Sequence, residues 1–151
     1  MAPRQPYLDP AEERRLVLRV LAYWQDIRAD RIFPDLGDID EGFIGADWAQ
    51  CLILMREGNA WKPTRIGEAL QAAEGAAGLP AGLWPVLDEL IARLLAKRVP
   101  ISLGRDFSVA GQPCLGRAIV LPLAAGGDDI GAVLAAVNWK VDEAKAGDRR
   151  S

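Results

Sequence analysis

The sequence predicts an α+β domain: a five-stranded antiparallel sheet with an N-terminal helix, and with helices inserted between strands 2 and 3. Three observations carry this. The last third holds three apolar runs, Ile101 to Val109, Leu115 to Leu123 and Ile130 to Trp139, separated by Gly111-Gln112-Pro113 and by Ala125-Gly126-Gly127-Asp128-Asp129. Apolar runs punctuated by turn residues read as an antiparallel meander. Ahead of them Leu83, Val86, Leu87, Leu90, Ile91, Leu94 and Leu95 recur at three and four positions, the period of an amphipathic helix. With 151 residues, 50% of them hydrophobic, the chain fits one domain with a sizeable core.

At the N-terminus, Asp9-Pro10 followed by Glu12 and Glu13 predicts a helix start. Asp9 can accept from the exposed amides, Pro10 suits the first helical position, and the glutamates suit the positive end of the dipole. Residues 1–13 are therefore read as an arm and helix start, 14–140 as the folded domain and 141–151 as a flexible charged tail. Between Leu16 and Ile27 the apolar positions occupy more than one stripe, which predicts two packed faces. Either both lie on the domain, or the second, carrying Val17, Leu21 and Trp24, meets a partner or another copy. Pro34 and the run Asp35-Leu36-Gly37-Asp38-Ile39-Asp40 end the helix, leaving 31–47 as a connector with one short helical turn.

Trp48 to Met55 reads as a mostly buried strand, with Ala60 to Ile66 pairing back across Glu57-Gly58-Asn59. Glu68 to Glu74 has helix-forming composition, broken by Gly75-Ala76-Ala77-Gly78-Leu79-Pro80. In the long helix that follows, Asp88 and Glu89 come early and Arg93, Lys97 and Arg98 late, which complements the dipole and offers a Glu89–Arg93 pair. Pro100 stops it.

Composition narrows function. A net charge of -3 argues against a general phosphate-backbone binder, so nucleic acid is not an expected partner. Cys51 and Cys114 match no metal-ligand spacing and no disulfide-dense scaffold, which points to a reducing compartment, the cytoplasm. No leader pattern and no long uncharged apolar stretch is present, so no membrane is expected. Histidine is absent, which excludes Ser-His-Asp and Cys-His chemistry and His-ligated haem or zinc. No metal and no cofactor is expected. Both cysteines sit in apolar runs and read as core residues, as do Trp48, Trp61, Trp84 and Trp139, whereas Trp24 is the tryptophan assigned to an interface.

Two arginines break the apolar rows of the meander. Arg105 shares a face with Ile101, Leu103, Phe107 and Val109, and Arg117 with Leu115, Ile119, Leu121 and Leu123. A turn centred on Gly111 would set the two guanidinium groups directly opposite each other, an unfavourable pairing unless an anion or solvent lies between them. The functional reading is a shallow ligand-binding site for a carboxylate or phosphate. The alternative is that this end of the hairpin is exposed, or that an acidic residue such as Glu68 neutralises it. The carboxylate pairs Asp38/Asp40, Glu12/Glu13 and Asp128/Asp129 have cap, turn or solvent explanations, and Gly126-Gly127 is a turn without the lysine and helix of a phosphate loop.

The element order, together with Tyr23-Trp24, Arg28, Arg31, Pro34 and Asp38-Ile39-Asp40, and with Leu121-Pro122-Leu123, Gly126 and Asp128 before an apolar last strand, resembles the PAS domain. The likeness spans 14–140 and is to short single-domain bacterial PAS proteins. It implies a non-enzymatic sensory or regulatory domain that acts through protein–protein interaction, with a signalling protein as partner and dimerisation through the N-terminal helix. It implies no specific ligand, and the place for a small one is near the sheet and the loose segment before the long helix. The segment between Ile66 and Leu83 lacks the aromatic residues and paired short helices expected over a PAS pocket, which argues against a deep cofactor cavity. Neither cysteine has the Asn-Cys-Arg-Phe surroundings of the flavin-binding branch. A second reading is an orphan enzyme or anion-binding protein with its site at Arg105 and Arg117.

Overall fold

Leu16, Val17, Val20 and Trp24 fall on one side of a 3.6-residue period, and that side is buried in helix α1 (Pro10–Arg28). These observations come from a computed structural model that describes residues 10–74, 82–109 and 111–144. The Asp9 cap, the 1–9 arm, the Gly75 to Pro80 break and the tail from residue 145 onward lie outside the described residues.

Past α1 the connector takes more helical structure than expected: a 3₁₀ turn at Leu36–Asp38, helix α2 (Glu41–Ile44) and a second 3₁₀ turn at Gly45–Gln50. Asp side chains account for the first two, while the turn at Gly45–Gln50 has no side-chain cap. Asp35 accepts from the Gly37 amide while Asp38 accepts from the Asp35 amide, a reciprocal cap, and Asp40 accepts from the Phe43 amide. Strand β1 (Cys51–Glu57) therefore starts at Cys51 rather than Trp48. Trp48 to Gln50 stay in the 3₁₀ turn, where Gly67 lies so close to the backbone of Trp48 and Ala49 that any side chain there would overlap it. Strand β2 (Ala60–Ile66) returns across Gly58-Asn59, with Gly58 at φ 61°. Helices α3 (Glu68–Glu74) and α4 (Leu83–Lys97) follow, then β3 (Ile101–Val109), β4 (Gln112–Ala124) and β5 (Ile130–Val141).

The strands form one sheet in the order β2-β1-β5-β4-β3, every pair antiparallel. This is the expected α+β, PAS-like architecture, with helices α3 and α4 between strands 2 and 3. Helix α4 packs on β3 and β4, while α1 packs on β4 and β5. The two helices cover opposite faces, so central strand β5 is buried on both sides and Ala132 to Val137 read as an unbroken apolar run.

The β3–β4 register differs from the symmetric one. Val109 pairs with Gln112, leaving a two-residue turn that contains Gly111 at φ 80°. Arg105 then pairs with Gly116, and Gly104 with Arg117. Because side chains alternate along a strand, this slip of one position puts the two arginines on opposite faces of the sheet. Gly116 has its own reason on the α4 face. A side chain there would overlap the ring of Phe107, which packs edge-on against Trp139 with centroids 6.2 Å apart.

Candidate functional site

The anion site expected between Arg105 and Arg117 is not formed. Arg105, on the α4 face, pairs through Nη2 with Glu89 Oε2 at 2.6 Å, and Glu89 also lies 3.6 Å from Arg93. The neutralising acid is thus Glu89 of α4, not Glu68, which lines a separate surface cleft with Gly45, Ala46 and Trp48. Arg117, on the α1 face, extends along Gly104, and its Nε is buried with no partner among the described residues.

The interface assigned to Val17, Leu21 and Trp24 is corrected as well. Val17 and Trp24 are each 5% exposed, and the Trp24 indole Nε1 donates to the Pro122 carbonyl at 2.8 Å, so the chain's own sheet covers them. Leu21 is half-buried against the same core. Among the described residues of α1, the large apolar side chain turned outward is Leu18, 58% exposed. Its periodic residues exceed a narrow stripe because the sheet receives a wide face of the helix.

The sheet and α1 instead build a polar cleft of about 370 Å³, lined by Arg15, Leu16, Arg19, Asp47, Gln50, Asn138 and Lys140. Each wall has a local cause. Arg15 and Arg19 stand one turn apart on α1 and so share a side. Asp47 and Gln50 come from the 3₁₀ turn before β1. Asn138 and Lys140 alternate on β5, with Asn138 directly opposite Arg117 and Lys140 opposite Leu115, so this end of the α1 face is polar where the rest is apolar.

Arg19 donates from Nε and Nη2 to the two Asp47 oxygens at 2.6 and 2.8 Å, a bidentate pair that raises the arginine's pKa above its ordinary value. With Asp47 engaged by Arg19, Arg15 and Lys140 carry positive charge into the cleft with no ion-pair partner among the described residues. Gln50 Oε1 is buried there, also without a partner. A cleft with three cations and one carboxylate thus sits on a chain of net charge -3. Beneath it the Cys51 thiol donates to the Asp47 carbonyl at 3.3 Å, and burial pushes its pKa up to about 12. Burial raises the Cys114 thiol too. Thiols so protonated are poor nucleophiles.

Arg19 and Asp47 also line a second groove, on the other side of their ion pair, with Ala22, Tyr23, Asp26, Phe43 and Ile44. The Tyr23 hydroxyl donates to the Asp38 carbonyl and accepts from the Asp40 amide, pinning the connector, and its ring meets Phe43 at 5.7 Å. Phe43 is nonetheless 77% exposed. Sequence reasoning passed over Arg15, Arg19 and Lys140. The signal that could have found part of the cleft is the pair Asn138 and Lys140, two polar residues at alternate positions of an apolar strand.

Among the described residues no three His, Cys, Asp or Glu side chains gather as metal ligands, and no helix is long and apolar enough to cross a membrane. No family model and no curated protein matches the chain. Among solved structures, the PAS domain from Bordetella pertussis BvgS is similar at 17% identity over 67% of this chain and 82% of that chain, with a TM-score of 0.29. The fold assignment rests on strand order and connectivity instead.

Proposed function

We propose that the chain is a non-enzymatic, cytoplasmic regulatory domain of the PAS type, acting through contact with a signalling protein and with a second copy of itself. The observation that carries this reading is the architecture: an entry helix laid on one face of a β2-β1-β5-β4-β3 sheet, with α4 on the other. The surface on which it would act is the outward side of α1 and the connector. Leu18 and Phe43 stand exposed there, and exposed large apolar side chains of this kind favour protein contacts. The half-buried Leu21 adjoins that surface, whereas Val17 and Trp24 belong to the core. Light scattering on the purified chain tests the assembly. The reading expects a two-chain mass that falls to one chain in Leu18→Glu and in Phe43→Glu, each still folded by circular dichroism. A one-chain mass at high protein concentration would count against it.

A further inference from the structure

We infer that the cleft between α1 and the end of β5 binds a small, doubly charged oxyanion, such as a phosphate monoester or dicarboxylate, and that this ligand holds the entry helix to the sheet. The charge pattern supplies the first reason. Arg15 and Lys140 approach one cavity from different elements, and neither has an acidic partner among the described residues, although acids outnumber bases in the chain. Two like charges brought to one cleft by the fold repel unless a counter-charge sits between them.

The second reason is the character of the remaining groups. The one carboxylate, Asp47, has both oxygens committed to Arg19, so it orients that guanidinium at the edge of the cleft rather than filling it. Gln50 and Asn138 add amide groups, and Leu16 gives an apolar floor. Cations flanked by amides suit a ligand with two anionic ends and little apolar bulk. The volume, about 370 Å³, is at the small end of ligand cavities.

The third reason is position. Arg15 and Arg19 belong to α1, Gln50 to the 3₁₀ turn and Asn138 and Lys140 to β5, so one bound anion bridges three segments far apart in sequence. Occupancy therefore stabilises docking of α1 against the sheet. This deepens the regulatory reading by naming the class of its signal, and rests on that reading only for the consequence of binding.

Titration calorimetry and thermal melts of the full chain at low ionic strength test it, with inorganic phosphate and succinate as separate probes and chloride as the control. The expected result is saturable one-to-one binding of at least one probe and a rise in melting temperature with concentration. Arg15→Gln and Lys140→Gln should each weaken binding about tenfold, while Arg105→Ala, on the opposite face, should leave it unchanged. Absence of saturable binding by either probe would overturn the inference, as would binding indifferent to both cleft substitutions in variants that melt normally. So would a site that takes an acidic peptide and neither small anion. The light-scattering result for Leu18→Glu is independent of these outcomes, so failure of the cleft and failure of the regulatory assembly are separable.

Discussion

Replacing Trp24 distinguishes a helix face that is core from one that awaits a partner. The indole is 5% exposed and donates to the Pro122 carbonyl at 2.8 Å. An aromatic side chain of this kind buries about 150–250 Å², which at about 25 cal/mol per Å² corresponds to roughly 4–6 kcal/mol as an upper figure. Observed truncations of buried aromatics cost about 3–5 kcal/mol. Trp24→Ala should therefore lower unfolding stability by about 3–5 kcal/mol, and Trp24→Phe, which keeps most of the apolar area but removes the N–H donor, by about 1 kcal/mol. In a chain of this length each kcal/mol shifts the melting temperature by about 2–4 °C. The assay is urea and thermal unfolding followed by circular dichroism, run at two protein concentrations tenfold apart. If Trp24→Ala stays within about 0.5 kcal/mol of the parent, or if its loss of stability appears at one concentration and vanishes at the other, the side chain is not core and the burial argument fails.

Three further outcomes are expected. Gly116→Ala should destabilise by about 1–3 kcal/mol, because the new methyl overlaps the Phe107 ring, and near-ultraviolet circular dichroism should report disturbed packing of Phe107 on Trp139. Asp35 accepts from the Gly37 and Gly126 amides, which hold its carboxyl below its ordinary value. A depressed folded pKa contributes stability above the unfolded value, about pH 4, and loses it as pH falls further. Asp35→Ala should thus melt earlier than the parent at pH 7, by the roughly 1 kcal/mol of a typical cap, and the gap should close in acid. Finally, Cys51, with its pKa pushed up to about 12, and buried Cys114 should resist a thiol reagent at pH 8 in the folded protein and react on unfolding in urea. Rapid modification of Cys51 in the native state would contradict its burial.

Much of the fold was legible because local chemistry and global packing agree. Gly58 takes the positive φ that a two-residue turn demands, so β2 appears at Ala60–Ile66 as read. The apolar period of α4 identifies the residues that are buried, Leu83, Val86, Leu87, Leu90, Ile91 and Leu94. The Glu89–Arg93 pair forms too, but Glu89 also reaches Arg105, a contact from α4 to β3 with no sequence signal. The connector is less legible, because its two capped turns, one held by Asp35 with Asp38 and one by Asp40, are only a few residues long and periodicity cannot register so short an element.

Strand number, the order of elements along the chain and the absence of histidine are properties of residue pattern and composition, whereas the strand order β2-β1-β5-β4-β3 is set by long-range pairing. Whether an arginine faces α1 or α4 is different in kind. It depends on whether the β3–β4 turn holds two residues or is centred on Gly111, and a slip of one position exchanges the two faces of a strand. The same applies to the cleft: Arg15, Asp47, Gln50 and Lys140 are scattered along the chain and meet because α1 crosses β5 where Asn138 and Lys140 interrupt its apolar run. Local sequence sets which backbone each segment adopts. Long-range packing sets which of its side chains share a neighbourhood, and the candidate site is made of nothing else.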